Sequence, residues 1–297
     1  MISVPFDFIE RTILLAYPFK KVFFNPYPLR GHWRRYAIHL QNTTEEYDLT
    51  VNICDLPDLY CSMVQGELSV RIEDMLRKKH TTLSSITIER SFDVPPEAEK
   101  IDDQKKEMLQ RLLRRSNGLT SVNLSELPKG APALVDILEA IPRVWNLVFD
   151  PEVEDVFTAV SLVEKHARQR CLKQLNSLQI LQRKLFPLVK AFLKECEFSG
   201  FVVNFVLEEE DFTKEMIRLI ADNLKKRMAR VLQVGVYGKP TLVDQLRKEM
   251  GNAIRGASFW QRYFGLFGNV EEETIEMNLR PYGDRSILVI VHKKDAR

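Results

Sequence analysis

The chain has 297 residues, 45% of them hydrophobic and 28% charged, with 12 glycines and 14 prolines; this is globular usage, and it excludes the disordered and collagen-like classes. Lys plus Arg total 43 against 41 for Asp plus Glu, so the net charge of +2 creates no global field that would demand a nucleic-acid or anionic-membrane partner. A chain of this length exceeds a typical single core, which points to two subdomains or one domain with a helical insertion.

Asp7, Glu10 and Arg11 interrupt the apolar residues at the amino terminus, against a signal peptide. Nowhere do apolar residues run for the roughly 18 positions that a spanning helix needs. Cys54, Cys61, Cys171 and Cys196 are too few and too scattered for a disulfide framework. They read as reduced thiols, which places the protein in the cytoplasm, with the nucleus as the alternative.

Residues 1–95 are rich in aromatic and β-branched side chains and read as a strand-rich N-terminal region. Within it, 36–41, 47–53 and 84–92 are predicted strands of an antiparallel sheet, with 42–44 as a polar turn and a helix in the second half of 66–80. Residues 96–150 form a helical connector. Pro95 and Pro96 close the sheet segment, and 97–116 is predicted helical, acids early and Arg111, Arg114 and Arg115 late, as the helix dipole prefers. A short helix ends at Ile141, before Pro142.

Residues 151–297 form a helical region that closes with a β-hairpin. Apolar residues recur from Val153 to Cys171, then at Leu175, Leu178, Leu181, Leu185, Leu188 and Phe192; the spacing of three and four predicts one very long helix or two in succession, kinked at Pro187. Residues 201–207 read as a buried strand. Asp211 caps a helix with Phe212, Met216, Ile220, Leu224 and Met228 on its apolar face and Lys214, Arg218, Lys225 and Arg230 opposite. Thr241 and Asp244 open another helix, and 274–279 with 286–291 form the closing hairpin. The fold class is therefore α+β, helix-rich, with an antiparallel sheet from the N-terminal strands that the C-terminal hairpin extends or leaves separate.

No motif for catalysis, cofactor or metal stands out. Residues 235–241 join glycines, a lysine and a threonine as a phosphate loop does, but only two residues separate Gly235 from Gly238, and Pro240 occupies the hydroxyl position. An interhelical turn is the expectation there. The five histidines, His32, His39, His80, His166 and His292, never fall at zinc-motif spacings.

Two surfaces are candidates. Between Gly256 and Gly268, Phe259, Trp260, Tyr263, Phe264 and Phe267 crowd with a single charged residue, Arg262, giving more apolar surface than one helix face hides. Such a patch fills a core, docks a partner or, last, contacts a membrane interface. Arg30, Trp33, Arg34 and Arg35, with Lys225, Lys226 and Arg230, interleave cations with an aromatic ring as nucleic-acid binders do, although cations also crowd solvated helix faces. The leading expectation is a non-catalytic protein-protein interaction module, a scaffold or adaptor subunit of an intracellular assembly, binding other subunits or itself through 259–267. A nucleic-acid-binding subunit is the second reading, and an enzyme with a site assembled from scattered residues the third.

Overall fold

Tyr47, Leu49, Val51 and Ile53 place every second side chain on one buried apolar face, and this segment is strand β1 (Glu45–Asp55). The computed structural model describes residues 30–116, 118–198, 200–205, 210–226, 232–238, 275–282 and 285–292, with 12, 13, 245, 248 and 249. The chain is α+β. It divides into two units, Met1–Trp145 and Asn146–Arg297. Among the described residues, no helix is long and apolar enough to cross a membrane.

The first unit runs α1 (Gly31–Thr43), β1, β2 (Asp58–Gln65), β3 (Leu68–Ser69), α2 (Ile72–Arg77), β4 (Thr81–Arg90), β5 (Glu99–Lys100), α3 (Asp103–Arg115), β6 (Thr120–Leu124) and α4 (Pro132–Ala140). Its strands lie in the order β6, β4, β1, β2, β3, with β5 on β2. β1 pairs antiparallel with β2 but parallel with β4, so the sheet is mixed rather than purely antiparallel. The reason is the connection: β2, β3 and α2 intervene between β1 and β4, long enough for a crossover that a tight hairpin cannot make.

The parallel strands β1, β4 and β6 succeed one another across the sheet, and right-handed crossovers in one direction set their helices on one face. In agreement, α2 packs on α3, and α3 on α4. Ile86, Ile88, Val122 and Leu124 from the sheet and Met75, Leu109, Leu112, Leu134 and Ile137 from the helices are all buried. The opposite sheet face is polar and mostly half-buried, with Thr50, Ser62, Thr87 and Asn123 in register across four strands.

Capping follows local chemistry. Asp102 accepts from the Lys105 N–H at 2.7 Å at the start of α3, and Arg114 and Arg115 close its last turn. Where β4 extends beyond the start of β6, side chains replace the missing ladder: Leu83 N–H donates to Ser116 Oγ at 3.0 Å, and Thr120 Oγ1 donates to the Leu83 carbonyl at 2.9 Å. Ser116→Ala leaves that buried N–H unsatisfied and is expected to lower stability by about 1–2 kcal/mol, seen as a lower urea midpoint at unchanged m.

The second unit contains most of β7 (Val144–Phe149), then α5 (Val156–Arg168), β8 (Gln174–Leu181), a 3-10 turn (Arg183–Leu185), α6 (Phe186–Glu195), β9 (Gly200–Phe205), α7 (Glu210–Lys226), β10 (Leu232–Gly238), β11 (Ile275–Tyr282) and β12 (Arg285–His292). β7, β8, β9 and β10 are parallel neighbours in chain order, and β12 runs antiparallel to both β10 and β11. α6 packs on α5 and on α7. At the centre of this packing, Phe192 of α6 stacks on Phe201 of β9 with ring centroids 6.1 Å apart, and Phe198 tilts against both.

Several expectations are corrected. Residues 36–41 belong to α1, not to a strand: Ala37 and Leu40 are its buried residues, three apart, whereas a strand through Tyr36, Ile38 and Leu40 would bury alternate positions. The long helix of the second unit is two helices separated by a strand. Arg170, in the left-handed region at φ 58°, ends α5, and the backbone N–H groups of Cys171 and Leu172 turn back to the His166 carbonyl. β8 then mimics a helix because its register slips between Ser177 and Ile180, breaking the alternation and spacing the buried Leu175, Ser177 and Leu181 unevenly. Pro187 sits in the first turn of α6, where its missing N–H costs nothing, and makes no kink there. Residues 235–238 lie in β10, not in an interhelical turn. The closing hairpin is present, with Tyr282 opposite Arg285. The helix expected from Thr241 lies mostly outside the described residues.

Candidate interaction surface

The most exposed apolar side chain in the described structure is on a loop that leaves the C-terminal end of β4. Phe92 is 96% exposed, Val94 on the same loop 41%, and Leu56, in the turn between β1 and β2, 45%. The two loops are neighbours because Ile53 lies beside Arg90 in the parallel register, and the Ser91 N–H donates to the Ile53 carbonyl at 3.1 Å. Loops at the C-terminal ends of parallel strands carry binding residues in many folds. A phenylalanine left in water forgoes roughly 1.5–3 kcal/mol of burial; exposed apolar side chains on two neighbouring loops are the kind of feature an interface centre is built from.

The loop is held by its own bonds. Ser91 Oγ donates to the Asp93 carbonyl at 2.5 Å, the Ala98 N–H to the Pro95 carbonyl at 2.9 Å, and the Ile101 N–H to the Leu59 carbonyl at 2.8 Å. Pro95 and Pro96 fix two φ angles between these points. β5 then ties the far end of the loop to β2 through Tyr60 and Cys61.

Of the residues singled out in the sequence, Phe259, Trp260, Tyr263, Phe264, Phe267 and Arg230 lie outside the described residues. Lys225 and Lys226 fall in the last turn of α7, in the second unit. Arg30, Trp33, Arg34 and Arg35 are brought together at the start of α1, with the arginines exposed, Trp33 half-buried, and Arg35 Nη2 3.3 Å from His32 Nδ1. The Phe92 tip was missed because 84–92 reads as one strand. A signal that could have separated them is the Asp-Val-Pro-Pro run that follows Phe92, residue types that favour a turn over a strand.

Other cationic clusters serve the fold. Arg115 donates to the Leu76 and Lys78 carbonyls at 2.8 and 3.0 Å, closing the end of α2. Lys78 Nζ lies 2.5 Å from Glu45 and 2.8 Å from the Tyr47 hydroxyl, and Tyr47 itself donates to Glu45. That bond to Lys78 lowers the Glu45 pKa, the bond to Glu45 raises that of Lys78, and burial raises that of the Tyr47 phenol. All three are thus held in their ordinary ionisation states, the opposite of what proton transfer near neutrality requires. Lys105 bridges Glu73 at 2.7 Å and Glu99, joining α3 to α2 and β5. Beside them, burial pushes the Cys61 thiol up to about 12, so it is no nucleophile.

In the second unit, a cavity of about 240 Å³ is lined by Ala167, Arg168, Arg170, Glu195 and Glu197. Close by in sequence, His166 Nδ1 lies 3.0 Å from Gln169 Oε1 and 3.7 Å from Cys171 Sγ. Burial pushes the imidazole pKa down to about 4, which disfavours the imidazolium that an activated cysteine–histidine pair needs. Since the unfolded chain takes up this proton near the ordinary 6.5, the neutral buried ring stabilises the fold fully above that pH. The contribution is lost as pH falls toward 4, about 3 kcal/mol over the window. His166→Gln is expected to flatten the fall in unfolding free energy, read from urea titrations, between pH 7 and pH 4.5 by roughly that amount.

Among the described residues, no group of three or more His, Cys, Asp or Glu is placed to hold a metal ion. No family model, curated protein or solved structure matches this chain.

Proposed function

We propose that the protein is a non-catalytic interaction module, a subunit of an intracellular assembly, that docks another protein through the tip formed by Phe92, Val94 and Leu56. The observation that carries this reading is the near-complete exposure of Phe92 on a loop pinned by backbone hydrogen bonds. Hydrophobic anchors presented on rigid loops lose little entropy on binding and dominate interface energies. All four cysteines are free thiols, as suits a reducing compartment. Recovery of the tagged full chain from its native cells, compared with a Phe92→Ala, Leu56→Ala variant, tests the proposal. A partner held at near-equal stoichiometry by the native chain and lost by the variant is expected; identical recoveries would contradict it.

A further inference from the structure

We infer, resting on that reading, that loop 91–98 docks in an apolar pocket ringed by lysine and arginine on a different protein. The two cations that flank the loop are already neutralised: Arg90 pairs with Glu126 at 2.6 Å and Lys100 with Asp58 at 2.9 Å. Asp93 and Glu97 are exposed residues on either side of the Val94–Pro96 stretch in the chain, and Glu89 of β4 is half-buried. The tip is therefore an apolar knob with a negative rim.

This rim selects among occupants. An anionic membrane surface and a nucleic-acid backbone both repel it, so insertion of Phe92 into lipid or stacking on bases meets like charge. A protein pocket with a basic rim satisfies both parts at once, because apolar burial supplies affinity at the centre and opposite charge at the edge sets orientation and on-rate. A knob also needs a concave partner.

The test uses the full chain as bait. The protein whose recovery depends on Phe92 is purified, and its Kd is measured at low and at moderate salt against the native chain and against Asp93→Lys with Glu97→Lys, thermal melts of both confirming the same fold. Expected are a weakening of about tenfold or more in the charge-reversed chain and a several-fold weakening of native binding as salt rises. Affinities that stay within about twofold across both changes would overturn the basic-rim inference and leave the docking proposal standing. Tighter binding on charge reversal would overturn it by showing an acidic partner, as would a Phe92-dependent homodimer in sedimentation. The absence of any Phe92-dependent protein would remove both readings together.

Discussion

Phe192→Ala is expected to destabilise the second unit by about 4 kcal/mol, the largest single loss among the substitutions considered. Phe192 is fully buried, stacked on Phe201 and tilted against Phe198, so truncation removes its burial, opens a cavity and breaks two ring contacts. Because domains hold only about 5–15 kcal/mol in all, this loss should lower the melting temperature by on the order of 10 °C and leave a fraction unfolded at 37 °C. Calorimetry or thermal circular dichroism reads it. A drop of about 1 °C would mean that the α6–β9 packing is not as described.

Phe92→Ala should do the reverse. With its ring almost wholly in water, Phe92 adds little to the folded state, so the melting temperature should stay within about 1 °C of the native value. Partner affinity should fall by roughly 30- to 1000-fold, the range for removing a central hydrophobic anchor. Titration calorimetry with the purified partner measures it. The pair of phenylalanines thus separates a fold residue from an interface residue by opposite signatures, stability lost with binding irrelevant in one, binding lost with stability intact in the other.

Much of the fold was legible where local chemistry and tertiary packing agree. The closing arginines of α3 mark its end where the sequence puts it, although the helix starts at Asp103 rather than at 97 because Glu99 and Lys100 form β5, and the last hairpin shows two strand-sized segments about a turn. Legibility failed where a strand imitates a helix or the reverse. β8 carries leucines at 175, 178 and 181 at helix-like spacing, and its register against β9 shifts between Ser177 and Ile180, which no single-strand pattern rule anticipates. α1 carries Tyr36, Ile38 and Leu40 in strand-like alternation, yet Ala37 and Leu40 face inward from a helix. The parallel order of strands could not be read from the pattern, since β1 alternates apolar and polar residues as a half-solvated antiparallel strand does, yet pairs parallel with β4 through a long connection.

The proposed docking tip was hidden for a different reason. Phe92 looks in sequence like the last apolar residue of a strand, but β4 ends at Arg90 and leaves Phe92 exposed on the loop that follows. Aromatic crowding instead marks 259–267. What marks the tip is a mismatch between side chain and surroundings, which exists only in three dimensions.

The most direct test of the docking proposal is photocrosslinking in native cells from a photoreactive phenylalanine placed at position 92, with position 157 as control. Phe157, on α5 in the other unit, is 82% exposed and lies outside the proposed tip. One dominant protein adduct from position 92 and none from 157 is the predicted result. No adduct from 92, or the same adducts from both positions, would contradict the claim that this tip is where the protein meets its partner.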